Sequence, residues 1–203
     1  MAGPRWDERY STDDYLFGTE PAAFVARYAG ELAARSNVLA VADGEGRNSV
    51  FLAEHGMHVT AMDASTVGVD KARRLATDRG VDVDFRVSDI DDWAWEPERY
   101  DAVVAVFIQF LDPDRRAEVF GGFVRTLRPG GRLLLHGYRP EQVDYATGGP
   151  PDRSFMYTEE LLRDAFAELR IDVLRSYDTE IVEGSGHVGM SALIDLVATK
   201  PID

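Results

Sequence analysis

Residues 102–107 read Ala-Val-Val-Ala-Val-Phe, an almost wholly apolar run entered from Tyr100-Asp101. A strand with no polar side must be covered on both faces, as at the centre of a parallel sheet. Similar runs recur on either side of it. Val38 to Ala42 is compact and apolar and ends at Asp43-Gly44, a buried strand running into a turn. His58 to Met62 ends at Asp63, and Val83 to Val87 alternates as a half-buried strand. Arg132 to His136 follows a turn at Pro129-Gly130-Gly131. Helix-like stretches lie between these runs. Arg47 to His55 is stopped by Gly56, and a second helix is capped by Ser65, reaches Asp78 and is stopped by Gly80. Asp114 to Leu127 forms a third, with Pro113 near its start.

Strand alternating with helix predicts an α/β chain with a Rossmann-like open sheet and helices on both faces. Right-handed crossovers leave that sheet little topological freedom. Glu159 to Glu168 reads as a last helix, and Ile171 to Tyr177 with Ser191 to Ala198 as closing strands. The expected sheet has seven strands, mostly parallel, with an antiparallel strand at its C-terminal end. Residues 139–157, rich in Pro, Gly and Tyr, form the longest irregular stretch, and a long loop in a compact domain usually serves function. A length of 203 residues suits one domain spanning 1–203.

Composition narrows the function classes. With no cysteine, disulfides, thiolate metal sites and a catalytic thiol are excluded, and a reducing compartment fits. No two histidines share a helix face with a carboxylate, so no metal site is expected. The first residues lack the apolar core of a signal peptide, and no apolar run approaches a bilayer span. A cytoplasmic location without membrane attachment is the expectation. A net charge of −14 repels phosphate backbones and argues against a nucleic-acid partner. It serves solubility, and it also suits a site that welcomes a cation.

Ligands of open α/β sheets bind beyond the carboxyl ends of the strands. Three acidic signals sit there. Asp43-Gly44-Glu45-Gly46-Arg47-Asn48 follows the first strand, and its glycines allow a tight turn and a close backbone approach to a ligand, or serve packing alone. Asp63 ends the second strand, where two acceptor oxygens match the hydroxyls of a ribose; a helix cap is the alternative. Ser88-Asp89-Ile90 follows the third strand, where a carboxylate meets an adenine amine or remains a loop residue. In order on successive strand ends, the three point to a nucleoside. A dinucleotide site would want a third glycine where Ser49 stands, and Asp43 and Glu45 would oppose a pyrophosphate. A cofactor with a sulfonium and an ammonium group suits the loop better, which favours S-adenosylmethionine over a nicotinamide dinucleotide.

On these residues the chain resembles the class I S-adenosylmethionine-dependent methyltransferases over residues 36–137. The likeness includes Val38 to Gly46, Val59 to Ser65, Ser88-Asp89, Tyr100 to Val104, and Leu127-Arg128-Pro129-Gly130-Gly131-Arg132-Leu133. A nearer similarity, to small bacterial tellurite-resistance and thiol methyltransferase-like proteins, rests on Trp6 to Tyr10, Tyr15 to Pro21, Glu45 to Asn48, Tyr145 to Pro150, and Glu183-Gly184 with His187. The broad family has an acid inside the first strand and a glycine two residues on; here Ala40 and Ala42 stand there, and the acid is Asp43.

The resemblance implies that Asp43, Gly44 and Gly46 hold the methionine portion, Asp63 the ribose, and Asp89 with Ile90 the adenine. Asn48, Ala64 and Phe107 join the same cofactor set. Tyr10, Tyr15 and Phe17 are expected to fold over it, with 1–35 as an N-terminal helical lid, 36–137 as cofactor-binding core, and 138–203 as acceptor loop and closing strands. Gln109 and His187 are the candidates for catalysis and substrate contact, as a hydrogen-bonding amide and a base or orienting imidazole, with structural roles as the alternative. Tyr145 and Arg153 are further acceptor-side candidates, Arg153 suiting an anion or pairing with surface carboxylates. The implied activity is methyl transfer to a small molecule, with sulfur, selenium or tellurium ahead of nitrogen or oxygen, by a monomer or homodimer. Alkyl transfer or cyclisation with the same cofactor, and a non-catalytic binding module, are the competing readings.

Overall fold

A computed structural model describes residues 3–202. It contains β1 (Asn37–Val41), β2 (His58–Asp63), β3 (Asp84–Val87), β4 (Tyr100–Val106), β5 (Leu127–Tyr138), β6 (Arg170–Glu183) and β7 (His187–Thr199). These form one seven-stranded mixed sheet in the order β3-β2-β1-β4-β5-β7-β6. That is the Rossmann-like α/β architecture expected. The backbone groups into two compact units: residues to Ala94 with Glu183–Gly186, and Trp95–Val182 with the chain from His187 onward. These boundaries differ from the divisions expected at 35/36 and 137/138. No helix among the described residues is long and apolar enough to cross a membrane.

In the first unit β1, β2 and β3 run parallel, with Val41 opposite Met62 and Asp63 opposite Val87. Helices α3 (Arg47–Glu54) and α4 (Thr66–Arg79) pack against each other and against β2. The Ser65 hydroxyl accepts from Gly68 N–H at 3.0 Å and so starts α4; Gly80, at φ 69°, ends it. Val69, Ala72, Leu75 and Ala76 are its buried stripe. Complete burial of an aliphatic side chain of this size contributes about 1.5–3 kcal/mol, so tertiary packing rather than propensity holds the helix. The N-terminal region is helical only at α1 (Gly3–Arg9), α2 (Ala23–Tyr28) and a 3₁₀ turn over Ala29–Glu31. The stretch between α1 and α2 is irregular, so the expected helical lid is largely a strap.

In the second unit β4 and β5 are parallel and β7 runs antiparallel to β5. The expected turn at Pro129-Gly130-Gly131 lies inside β5 as an irregularity. Tyr100 pairs with Leu127, but Ala102 pairs with Arg132, so extra residues bulge from β5. Gly130 carries the positive φ, and hydrogen bonds of 2.8 Å to and from Lys200 hold the bulge. Strands β6 and β7 are longer than the expected 171–177 and 191–198. In β6 exposed and half-buried residues alternate, and the polar-out pattern hides its length from a search for apolar runs. Helix α5 (Pro113–Thr126) packs on β5 and on α7 (Glu159–Ala165). The expected irregular stretch 139–157 contains α6 (Gln142–Tyr145) and a 3₁₀ turn over Arg153–Phe155.

Candidate functional site

In the first unit the carboxyl ends of β1 and β2 bring Asp43 and Asp63 into one charged cluster. Asp63 Oδ2 accepts the Gly44 N–H at 2.8 Å and Oδ1 accepts the Ser65 N–H at 2.8 Å. The residue is buried, and burial raises its pKa against the pull of those two bonds. Asp43 keeps some accessible surface as a residue, yet its carboxyl group lies deep enough that burial pushes its pKa up to about 7. Hydrogen bonds from the Ser49 hydroxyl and N–H oppose the rise, and the charge of Asp63 adds to it. Two carboxylates raised in this way favour a cationic ligand, which would restore their charge.

The glycines between them are there for close approach. At Gly46, φ 91°, a Cβ would lie 2.6 Å from that of Ala72, so only glycine lets the loop meet α4. At Gly44 a Cβ would meet the Tyr10 hydroxyl at 2.7 Å. Tyr10 is therefore laid on the loop. Its hydroxyl pKa is raised well above the usual value by burial and then by Asp63, Glu45 and Asp43. Tyr10, Trp6 and Phe17 form one aromatic group, with Trp6 stacked on Tyr10 at 5.3 Å.

Other expected residues have different duties. Tyr15 packs against Val50, Leu75 and Ala76, and its hydroxyl donates to the Lys71 carbonyl at 3.1 Å, so it anchors the strap to α4. The Asn48 side-chain oxygen accepts the Ala22 N–H at 3.0 Å and fastens the chain ahead of α2. Glu45 does not offer its charge to a ligand in the way the sequence suggests. It is buried, pairs with Lys71 at 2.5 Å and accepts the Leu16 N–H at 2.8 Å. Asp89 is half-buried and accepts the Asp91 N–H at 3.3 Å, beside the buried Ile90. Ser88 N–H donates to the Asp63 carbonyl at 2.9 Å, which fixes the end of β3 to that of β2 next to the half-buried Ala64.

Lys71 is the residue the sequence reading missed. It is 1% exposed, and besides Glu45 its ammonium donates to the carbonyls of Tyr10, Thr12 and Asp14 at 3.4, 2.9 and 2.6 Å. A signal existed: Lys71 falls on the inward stripe of α4, three residues after Gly68 and four before Leu75. Asp7 of α1 is a second. Its Oδ1 accepts from the Ser65 hydroxyl at 2.5 Å and the Val67 N–H at 3.1 Å, a carboxylate at the N-terminus of α4. A third device joins Arg47 to Glu183 at 2.8 Å, while Gly186 N–H donates to the Leu16 carbonyl at 2.9 Å.

In the second unit Phe107, one residue past β4 at φ 55°, is the hub of a ring cluster. His187, Tyr138 and His136 stand 4.5, 4.6 and 4.8 Å from it, centroid to centroid. His187 thus lies buried among rings. Gln109 is redirected. Its amide nitrogen donates to the Tyr138 carbonyl at 2.7 Å and its oxygen accepts the Tyr138 N–H at 2.6 Å, so it braces β5. Both bonds hold the Tyr138 backbone in place. Tyr145 and Arg153 make contacts at the surface. The half-exposed Tyr145 hydroxyl donates to Asp178 at 3.1 Å, and Arg153 pairs with Asp144 at 2.5 Å while donating to the Pro140 carbonyl. For Arg153 this is the pairing with surface carboxylates that the sequence offered as one of its two roles.

Comparison with known proteins finds sequence similarity over part of the chain. Residues 38–131 match the family model described as "Methyltransferase domain". The chain is 35% identical over 101 residues to the ubiquinone biosynthesis O-methyltransferase of Xylella fastidiosa, covering 49% of this chain and 41% of that protein. The protein of the same name from Xanthomonas euvesicatoria is 36% identical over 103 residues, 50% of this chain and 43% of the relative. The chain thus spans less than half the length of these curated relatives. Among solved structures, TehB from Haemophilus influenzae superposes with a TM-score of 0.73 at 20% identity, over 96% of this chain and 65% of that one. A protein solved in work on the conversion of a disulfide bond into a thioacetal group during echinomycin biosynthesis gives 0.80 at 21% identity, over 99% and 92%. These likenesses share the fold, and residues 38–131 are similar to the methyltransferase-domain family.

Proposed function

We propose that this protein is an S-adenosylmethionine-dependent methyltransferase acting on a small-molecule acceptor. The observation that carries the reading is the pair Asp43 and Asp63, two raised carboxylates at adjacent strand ends joined through the Gly44 N–H. S-Adenosylmethionine supplies an electrophilic methyl on a sulfonium. Asp43 and the Gly44 to Gly46 loop hold its cationic methionine end, Asp63 its ribose, and Asp89 with Ile90 its adenine; Tyr10 and Phe17 shield it from water. Phe107 belongs to the same cofactor set, and His187 is the candidate for contact with the acceptor. Methyl transfer then needs little beyond alignment and exclusion of water, because well-oriented intramolecular reactions gain roughly 7–11 kcal/mol.

The name of the matched relatives moves oxygen ahead of sulfur, selenium and tellurium as acceptor atom. The net charge of −14 supports a small acceptor over a nucleic acid, and a cytoplasmic monomer or homodimer is part of the same reading. Calorimetry with S-adenosylmethionine tests it on wild type and Asp63→Ala. Loss of a charged hydrogen-bonding partner of about 1.5–3 kcal/mol predicts affinity about ten- to a hundredfold weaker in the variant. Equal affinity in a folded variant refutes the placement. S-Adenosylhomocysteine as product marks methyl transfer, and methylthioadenosine would mark attack at another carbon.

A further inference from the structure

Glu45, Arg47 and Asn48 stand in or beside the loop read as the cofactor's, yet each is buried and bonded to the strap between α1 and α2. Glu45 Oε2 accepts the Leu16 N–H at 2.8 Å, Arg47 donates to the Phe17 carbonyl at 3.3 Å, and Asn48 accepts the Ala22 N–H at 3.0 Å. Loop and strap thus meet in step, 45 with 16, 47 with 17 and 48 with 22. The bonds of Asp43 run instead to Ser49, and the N–H of Gly44 to Asp63. One short segment therefore serves two masters, the strap and the strand ends.

Lys71 makes the fastening close to all-or-none. An ammonium has three donors and no acceptor. Four oxygens converge on this one: Glu45 at 2.5 Å and the carbonyls of Tyr10, Thr12 and Asp14 at 3.4, 2.9 and 2.6 Å. Three of the four belong to the strap, so undocking takes them away together. The Tyr15 hydroxyl ties the same segment to the Lys71 carbonyl at 3.1 Å. Glu45 also stands between Gly44 and Gly46, at φ 62° and 91°. Glycine leaves a loop many alternative shapes, and the side chain between these two is the one that Lys71 and Leu16 hold. Tyr10 closes the arrangement. A Cβ at Gly44 would lie 2.7 Å from its hydroxyl and one at Gly68 3.0 Å from its ring, so the docked strap covers the loop there.

We propose that Glu45 and Lys71 are positioning residues that make strap docking and cofactor binding one cooperative event. The inference rests on the reading of the Asp43 to Gly46 loop as the methionine site of S-adenosylmethionine. The docked strap fixes the Gly-Glu-Gly turn in one shape, so the cofactor meets a loop already ordered. The occupied loop in turn keeps Glu45 in place for Lys71 and Leu16. Coupling of two equilibria is reciprocal, so each favours the other by the same factor. Release of S-adenosylhomocysteine then waits on undocking of residues 10–22, and strap opening sets the pace of cofactor exchange.

The test uses the full chain, with Tyr15→Phe and Glu45→Gln as variants and S-adenosylhomocysteine as ligand. Amide exchange of Leu16, read by nuclear magnetic resonance, reports the strap, and that of the buried Ala61 in β2 reports the core. A chase of tritiated ligand with unlabelled ligand gives the dissociation rate. In wild type, saturating ligand should slow Leu16 exchange at least about tenfold. Tyr15→Phe removes one hydroxyl and keeps the ring. It should speed dissociation about three- to tenfold and Leu16 exchange by the same factor, with a smaller change at Ala61. Glu45→Gln, which loses a charge-assisted pair, should speed both about ten- to a hundredfold. A wild type that does not bind refutes the methyltransferase reading and takes this inference with it. Binding that leaves Leu16 exchange unaltered overturns the coupling alone, and so does faster Leu16 exchange in Tyr15→Phe without faster ligand release. Equal acceleration of Leu16 and Ala61 marks general destabilisation and overturns it as well.

Discussion

Asp43→Asn isolates the energetic consequence of placing a carboxyl group under the β1 loop. The native pKa of about 7 stands above the ordinary 3.8, so the folded protein holds this proton more tightly than the unfolded chain. Ionising the group therefore opposes folding. Its contribution is unchanged below pH 3.8, and stability is lost as pH rises from there to about 7, with a ceiling of about 4 kcal/mol set by the gap between the two values. Asparagine keeps an acceptor for the Ser49 hydroxyl and removes the charge. Wild type minus variant, measured by urea unfolding at a series of pH values, should show stability falling from about pH 4 to 7 and flat above. A cationic cofactor reverses the sign. By favouring the carboxylate it lowers the pKa again, so binding releases a proton below about pH 7, and affinity rises up to about tenfold per pH unit until that point. Calorimetry in buffers of different ionisation heat counts the proton: about one near pH 6, and close to none near pH 9. An unchanged pH slope in Asp43→Asn, or no proton released by wild type, refutes the assignment of Asp43 as the cationic group's partner.

Lys71→Met fills the same space but leaves the Glu45 carboxylate buried without its cation. A cost of about 3–5 kcal/mol is expected in thermal or urea unfolding, with faster proteolysis between Ser11 and Asp14 as the strap loses three carbonyl bonds. Gln109→Ala removes both bonds to the Tyr138 backbone and should destabilise by about 1–3 kcal/mol for each group left unpaired, while S-adenosylmethionine affinity measured by calorimetry stays at the wild-type value.

Much of the fold was legible because its signals are local. Apolar runs marked β1, β2 and β4, and Ser65 and Gly80 punctuated α4 as their chemistry dictates. The candidate cofactor residues were legible for the related reason that strand ends are where this topology puts ligands. What escaped depends on partners distant in sequence. Glu45 reads as an available charge until Lys71, 26 residues on, is seen to neutralise it. Arg153 reads equally as an anion receptor or a surface ion pair until Asp144 and Pro140 are found beside it. The pairing of His136 with Asp195 could not be read locally because the two lie 59 positions apart, and only the strand register sets them side by side. Gln109 illustrates the same rule, since a polar side chain at a strand end serves ligand or backbone, and nothing local distinguishes the two.

The tip Glu183–Gly186 carries an implication for biogenesis. It holds the strap through Arg47 and Leu16, partners separated from it by 136 residues or more. A ribosome exposes those early partners long before the tip is made. The strap must wait on the nascent chain, held by α4, Glu45 and Asn48, and receives its final fastening only after residue 186 has emerged. A polypeptide interrupted short of that point would carry its early strands and helices and lack the clasp, leaving the segment around Phe17 open to proteases that the finished protein resists.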